Sequence, residues 1–490
     1  MRRRLKLAAG VVGLVGLIAT AGFASNTFTD VPAGRYYTDA VDWAFNNGVT
    51  TGTSATTFSP EQAVTRAQNV TFAYRYDQNI VQPALDNIDN QLDDVDNRID
   101  GLDTLDELSC TPSQVAINDN GWRCADPVLT RSFTGAFNYT FEDTDSVGWD
   151  SSLAIGADGK PVISHHAFTT KDLELFVCDN PTCTSGTNRT LVTADNVGYY
   201  TSVAIGADGN PIISHQDQTN DDLELYVCDN PTCTSGTNRT LVTADNVGYY
   251  TSVAIGADGN PIISHQDQTN GDLELYVCDN PTCTSGTNQT LQTTGAVGWY
   301  MSVAINTDGN PIISHYDLDL DNQDLELYVC ANPTCTTGTN QTLVIAEALD
   351  FGTSIAIGTN GNPVISYHDN NDRDLVLYVC ANPTCTTGTN RPLVTDGSAG
   401  YYSSIAIDTD GNPIISHHDQ TNRDLELYVC ADTTCTAGTN QTLVTTDSVG
   451  YNISIAIGLD GNPIISHRDA TNGDLEVAVP VFTVTGIAFD

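Results

Sequence analysis

GNPIISHQDQTNDDLELYVC, Gly209–Cys228, decides how this chain is read, because a near copy begins fifty residues later at Gly259 and relatives recur on both sides. The copies form a repeat with a period of 50 that starts at Gly148. A Ser-(Ile/Val/Leu)-Ala-Ile motif marks each unit, at Ser152, Ser202, Ser252, Ser302, Ser354, Ser404 and Ser454. Each unit divides into four short extended runs. In the unit around the quoted stretch they are SVAIG (strand A), PIISHQD (B), DLELYVC (C) and NRTLVTAD (D), with ADGN as a tight Asp-Gly turn between A and B. Four strands of five to eight residues at this period describe a β-propeller.

Closure follows from counting. The seventh unit supplies A, B and C and then ends in DLEVAVPVFTVTGIAFD, without a convincing D strand. The missing strand stands in front of the first unit, where NYTFEDTDSVG, Asn138 to Gly148, aligns without gaps with NRTLVTADNVG, Asn188 to Gly198. The fold expected is therefore mainly β: a seven-bladed β-propeller spanning 128–490, its last blade closed by the N-terminal strand so that no sheet edge stays open. The terminal FTVTGIAF competes for that same slot. The AIGxDGNPxIS units resemble propeller repeats of bacterial surface proteins, and that resemblance carries no catalytic motif.

Composition limits what such a ring can do. The chain has 490 residues, 61 acidic against 18 basic, for a net charge of −43. Its field repels nucleic acid and anionic lipid and favours cations. Residues 1–24 read as a signal peptide: Arg2, Arg3, Arg4 and Lys6 precede an apolar run that ends in small residues at Gly22 and Ala24. In an exported chain, fourteen cysteines argue for disulfides. Six C-x4-C pairs, each in a separate unit, are expected to bond locally: Cys178–Cys183, Cys228–Cys233, Cys278–Cys283, Cys330–Cys335, Cys380–Cys385 and Cys430–Cys435. Cys110 and Cys124 would staple a hairpin collar over 109–127, with its turn at Asn118 to Gly121.

The front of the chain has a different character. FTDV (Phe28 to Val31), YYTDAVDWAFNNGVTTG (Tyr36 to Gly52) and TFSPEQAVTRAQ (Thr57 to Gln68) resemble an S-layer homology (SLH) module. The resemblance implies a small α-helical anchor over 27–77 that grips cell-wall polysaccharide. Arg66 would be its main ligand, with Thr65, Asp30 and Trp43 beside it. Gln68 stands where that family usually has Glu, and one copy is present where three are common. A plain helical hairpin with Trp43 and Phe58 as core fits the same residues. Over 78–108, Val81, Leu85, Ile88, Leu92, Val95, Ile99 and Leu102 repeat at alternating spacings of four and three. This heptad seam suggests a short coiled-coil stalk whose core residues lean toward three strands, hence a homotrimer. A single amphipathic helix packed on its own protein is the alternative.

Three sets of repeated residues invite a functional reading. With a four-residue B–C loop, His215 faces Glu224; the same register sets His165 with Glu174, His265 with Glu274, His315 with Glu326, His417 with Glu426 and His467 with Glu476. In the fifth unit both members change together, to Tyr367 and Val376, which suits structural cross-strand contacts. The loops pair like charges. Asp217, Asn220 and Asp222, then Asp267, Asn270 and Asp272, then Asp469, Asn472 and Asp474 would either hold calcium or form Asx turns. Aromatic residues mark the D-to-A connections: Trp149, Tyr199, Tyr249, Trp299, Tyr401 and Tyr451 would stack on sugars or wedge between blades. Six Asn-x-Thr triplets read as glycosylation sequons or as turn chemistry in the C–D loops.

Units so alike argue against a catalytic centre, which needs neighbouring groups with different tasks. The expectation is an exported, cell-wall-associated, non-catalytic protein whose ring binds carbohydrate or another surface ligand as an adhesin or lectin does. A structural surface-layer scaffold is the alternative, and a hydrolase at the propeller centre a remote one. Calcium is the one cofactor suggested. The partners expected are cell-wall polysaccharide and further glycans or surface proteins, with no nucleic acid and no membrane after signal cleavage.

Overall fold

The computed structural model describes residues 28–31, 38–51, 53–54, 56–59, 71–73, 75–76, 78–79, 115–118, 122–125, 127–142, 146–319, 322–346 and 349–489. The chain forms two compact units, residues 1–130 with 485–490, and residues 131–484. The signal sequence, the heptad seam after Asn79 and Cys110 lie outside the described residues.

The larger unit is a seven-bladed propeller of four-stranded antiparallel sheets. Blade 2 is representative: A is Val197–Ile205, B is Pro211–Asp217, C is Asp222–Cys228 and D is Gly236–Val242. B and C are buried along nearly their whole length, since both of their faces meet neighbouring blades. That position explains PIIS and LELYV. Residues such as Ile213, Leu223 and Leu225 lose all contact with water, and each such side chain contributes about 2 kcal/mol. The seven A strands follow one another around the ring, and Tyr451–Ile457 of blade 7 meets Trp149–Ile155 of blade 1. Blade 4 carries the extra residues in its B–C hairpin, where both strands reach nine residues.

The Ser-(Ile/Val/Leu)-Ala-Ile motif has a specific task in the inner ring. Each motif serine accepts a hydrogen bond from a backbone N–H of the next blade's A strand. Ser152 Oγ accepts from Val203, Ser202 from Val253, Ser252 from Val303, Ser302 from Ile355, Ser354 from Ile405 and Ser404 from Ile455. Ser454 then accepts from Leu153 at 2.9 Å and completes the circle. Inner strands would otherwise present unpaired amides to their neighbours, a costly arrangement when buried.

A second regularity joins C to D. The glycine that opens each D strand lies against the aromatic ring of strand C, so that a β-carbon at Gly236 would come within 2.4 Å of the Tyr226 ring. Phe176 with Gly186, Tyr276 with Gly286, Tyr328 with Gly338, Tyr378 with Gly388 and Tyr428 with Gly438 repeat the fit. The C–D loops are stapled by the six expected C-x4-C disulfides, whose Cα atoms lie 4.8–5.0 Å apart.

Blade 7 takes its fourth strand from the beginning of the chain, in the order Tyr451–Ile457, Pro463–Asp469, Asp474–Phe489, Pro127–Glu142. The terminal FTVTGIAF does not take the D position; it prolongs strand C instead. Two boundaries differ from the sequence reading. Strand A begins at the aromatic pair and includes it, as in Tyr249–Ile255, and strand D begins two residues before the Asn-x-Thr triplet. The triplets are therefore strand residues rather than loop residues.

In the smaller unit, Phe28, Val31 and Val41 are buried together with Phe58 packed against them. The helix Thr38–Asn46 ends where Gly48 takes a φ of +70° and Val49 N–H returns to the Ala44 carbonyl. Val115–Asn118 pairs antiparallel with Trp122–Ala125.

Candidate functional site: the clamps and the turn face of the ring

The strand register sets His215 opposite Glu224, and the other five His–Glu pairs likewise. The two side chains do not bond directly, because Nε2 and Oε2 are 3.7–3.9 Å apart in the six pairs. The asparagine of the triplet bridges them. His215 Nε2–H donates to Asn238 Oδ1 at 3.0 Å, and Asn238 Nδ2 donates to Glu224 Oε2 at 2.7 Å. The triplet's threonine completes the set, since Thr240 Oγ1 donates to Glu224 Oε1 at 2.9 Å. Asn-x-Thr is thus a clamp on a buried carboxylate, not turn chemistry.

Blade 7 builds the same clamp across the gap in its chain. Asn138 and Thr140 donate to Glu476 at 2.8 Å each, and His467 donates to Asn138. Blade 5 lacks the acid and the hydroxyl, with Val376 and Pro392 in those places, and there Tyr367 donates to Asn390.

The histidines are neutral. Burial pushes His165, His166 and His315 down to about 4 and His467 down to about 3. Burial also lowers His215, His265 and His417, opposed by their asparagine and glutamate partners. All of these rings are fully buried within the sheets.

The residue after the clamp histidine ties each blade to the next D–A turn. His166 donates to the Val197 carbonyl at 2.7 Å, Gln216 to Val247, Gln266 to Val297, His368 to Ala399 and His418 to Val449. The aromatic residues proposed from the sequence as sugar platforms pack onto this same row. Tyr199 stacks on His166 at 4.2 Å, Tyr401 on His368 at 4.0 Å and Tyr451 on His418 at 4.5 Å. The Arg468 guanidinium sits 4.1 Å above Trp149. Each ring is half-buried and keeps one side toward solvent.

The position following these aromatics forms an inner circle of Asp150, Tyr200, Tyr250, Tyr300, Gly352, Tyr402 and Asn452, each with positive φ. A left-handed conformation here turns successive side chains toward the neighbouring blade. Tyr200 and Tyr250 lie 4.6 Å apart, Tyr250 and Tyr300 4.5 Å, and Tyr249 and Trp299 flank them at 5.4 and 5.5 Å. The result is a continuous aromatic arc across blades 2 to 4. Asp150 breaks the symmetry. Its carboxylate accepts from Tyr200 N–H and Asn452 Nδ2, and burial raises its pKa. No equivalent position in the circle supplies the second carboxylate that glycoside hydrolysis uses.

In the B–C loops, Asp217 and Asp222 face each other, as do Asp267 and Asp272, and Asp469 and Asp474. Asp217 is engaged by its own loop: Oδ1 accepts from Thr219 and Asn220 N–H, and Oδ2 from Asn220 Nδ2. Asp267 with Asn270 and Asp469 with Asn472 repeat this turn. Among the described residues no group of three or more His, Cys, Asp or Glu could hold a metal ion.

In the smaller unit Asp30 holds a loop. Its two oxygens accept from Phe58 N–H at 2.8 Å and Ser59 N–H at 2.6 Å, and the Phe58 bond leads in lowering its pKa. Trp43 is exposed beside Tyr76 rather than in the core, which consists of Phe28, Val31 and Val41. Thr65 and Arg66 lie outside the described residues.

No curated protein sequence matches the chain significantly. Residues 27–68 match the S-layer homology domain family, so an SLH cell-wall anchoring module precedes a seven-bladed β-propeller, and the protein is associated with the cell surface.

Proposed function

We propose that this is an exported surface protein, held to cell-wall polysaccharide by its SLH module, whose ring binds carbohydrate through the turn face. The observation that carries this reading is the aromatic arc of Tyr200, Tyr250 and Tyr300, with half-exposed Tyr199, Tyr249 and Trp299 around it. Stacked phenol rings offer faces to the apolar side of a sugar and hydroxyls to its edge. The strong negative charge favours neutral or amine-bearing glycans over acidic ones. Several similar weak contacts around one ring add through avidity. The anchor, and an inner circle in which Asp150 is the one carboxylate, favour a binding role over catalysis.

A scaffold role has one observation in its favour: the outer aromatics also serve as wedges on His166, His368, His418 and Arg468. A glycan array with the whole chain, against a Tyr200→Ala/Tyr250→Ala variant, separates the two. Binding lost in the variant supports the turn-face site. Identical profiles leave the ring as scaffold and assign any binding to the anchor. Repeating the array in calcium and in chelator tests the loops, and we expect no difference because Asp217, Asp267 and Asp469 already accept from loop N–H groups.

A further inference from the structure

We infer that the seam between blades 7 and 1 holds a second, single-copy saccharide site on the face opposite the turn face, independent of the reading above. A cavity of about 240 Å³ opens there, lined by Phe137 and Tyr139 of the closing strand, Val479–Phe482 of strand C, Thr182 of blade 1, and Asp460 and Asn462.

The cavity exists because the closing strand departs from its six relatives at the positions that seal a seam. Blades 3 and 4 carry a glutamine in the middle of the triplet. Gln289 Nε2 donates to the Thr334 carbonyl of the next blade at 2.6 Å, and Gln341 Nε2 to that of Thr384 at 2.7 Å. Tyr139 stands in that position and Thr182 in the place of those threonines. The residue two earlier is threonine in the other six blades and Phe137 here, 59% exposed. Blade 7 also has no C-x4-C loop, because its C strand runs on through Pro480.

The replacement side chains form a ladder. Phe137 and Tyr139 stack at 6.3 Å with planes 25° apart, Tyr139 and Phe141 repeat that geometry, and Phe141 anchors the series on Phe176 of blade 1 at 4.5 Å. Exposing such rings is unfavourable unless something covers them. The polar rim suits a pyranose. The C–H face of the sugar lies on Phe137 and Tyr139, while its hydroxyls reach Thr182 and the Asp460–Asn462 pair, whose side chains already bond each other at 2.9 Å. A carboxylate at the rim and a net charge of −43 select a neutral sugar.

The test uses the whole chain with methyl β-D-glucopyranoside, methyl β-D-galactopyranoside and N-acetyl-D-glucosamine, read by saturation-transfer NMR. At least one probe is expected to receive saturation, with affinity falling tenfold or more in Phe137→Thr/Tyr139→Gln, which rebuilds an ordinary seam. Tyr139→Gln alone introduces a side chain this position already carries in three other blades, so it keeps the test open if the double variant melts early. A Tyr199→Ala/Tyr249→Ala variant provides the cross-comparison. Loss confined to the seam variants supports the site. Loss confined to the turn-face variant assigns the sugar there and overturns the seam site, as does the absence of transfer to all three probes.

Discussion

Blades 5 and 7 both depart from the common pattern, in opposite ways. Blade 5 keeps its Cys380–Cys385 staple and its Tyr378–Gly388 fit but gives up the carboxylate clamp. Blade 7 has neither staple nor aromatic fit and keeps the clamp intact, with Asn138 and Thr140 on Glu476. The difference teaches which device matters where. In blade 5 a short loop already joins C to D, so the clamp can be traded for Tyr367 and Val376. In blade 7 no covalent link joins the two strands locally, and side chains must hold what the chain does not.

The largest expected effect is common to every blade. All nine histidines are fully buried, and burial holds His165, His166 and His315 near 4 and His467 near 3, against 6.5 when free. The unfolded chain therefore takes up protons first as pH falls. Stability is complete above about 6.5 and declines down to about pH 4. A shift of this size is worth about 3 kcal/mol for each of these four groups, and the other five are shifted in the same direction. Burial raises Glu326 and Glu476, which works in the opposite sense below their folded values but involves fewer groups. Urea midpoints measured from pH 8 to 4 should fall steeply between 6.5 and 4, and a flat profile would show that the histidines are not held neutral.

Next comes the clamp itself. Glu476→Ala leaves Asn138, Thr140 and His467 without their acceptor or relay, at a cost of about 3 kcal/mol. It should also make the strand Pro127–Glu142 susceptible to limited proteolysis. Glu224→Ala in blade 2 should cost less and release no strand, because a short loop stapled by Cys228–Cys233 still connects C to D. Equal proteolysis of both variants would remove the contrast between the closing blade and the rest.

The contrast with blade 5 can be made directly. Glu224→Val alone should cost about 2 kcal/mol, whereas His215→Tyr/Glu224→Val/Thr240→Pro should recover most of the loss in a urea titration. An additive triple variant would mean that blade 5 is stable for some other reason. The smallest effect is expected in the inner ring. Ser202→Ala removes one acceptor, Val253 N–H loses its partner, and stability should drop by about 1 kcal/mol.

The sequence reveals blade number and closure because a period of 50 and a gapless alignment of Asn138 with Asn188 depend only on order along the chain. It conceals what depends on the exact start of a strand. A D strand read as beginning at Asn238 rather than Gly236 leaves the triplet at the loop border, where its bridge to Glu224 is not apparent. The inner circle was equally hidden, since a bulge at Tyr250, with φ of +52°, separates two adjacent tyrosines into different surroundings. The serine ring had a visible signal, a motif repeated seven times, but its purpose needed the neighbouring blade.

The glycine that opens each D strand has one last implication, for how the molecule knows when to stop. The closing strand carries Ala136 where the others have glycine, and its partner strand carries Ala478 where the others have an aromatic ring. A β-carbon set against any of those six rings would sit within about 2.4 Å of it. Blades 2 and 3 are almost identical, so their C strands offer the arriving N-terminal strand nearly interchangeable partners, and a ring of the wrong size is a real hazard of such repetition. One methyl group answers it. The N-terminal strand is refused by blades 1 to 6 and admitted by the seventh, so the ring counts its own blades before it closes.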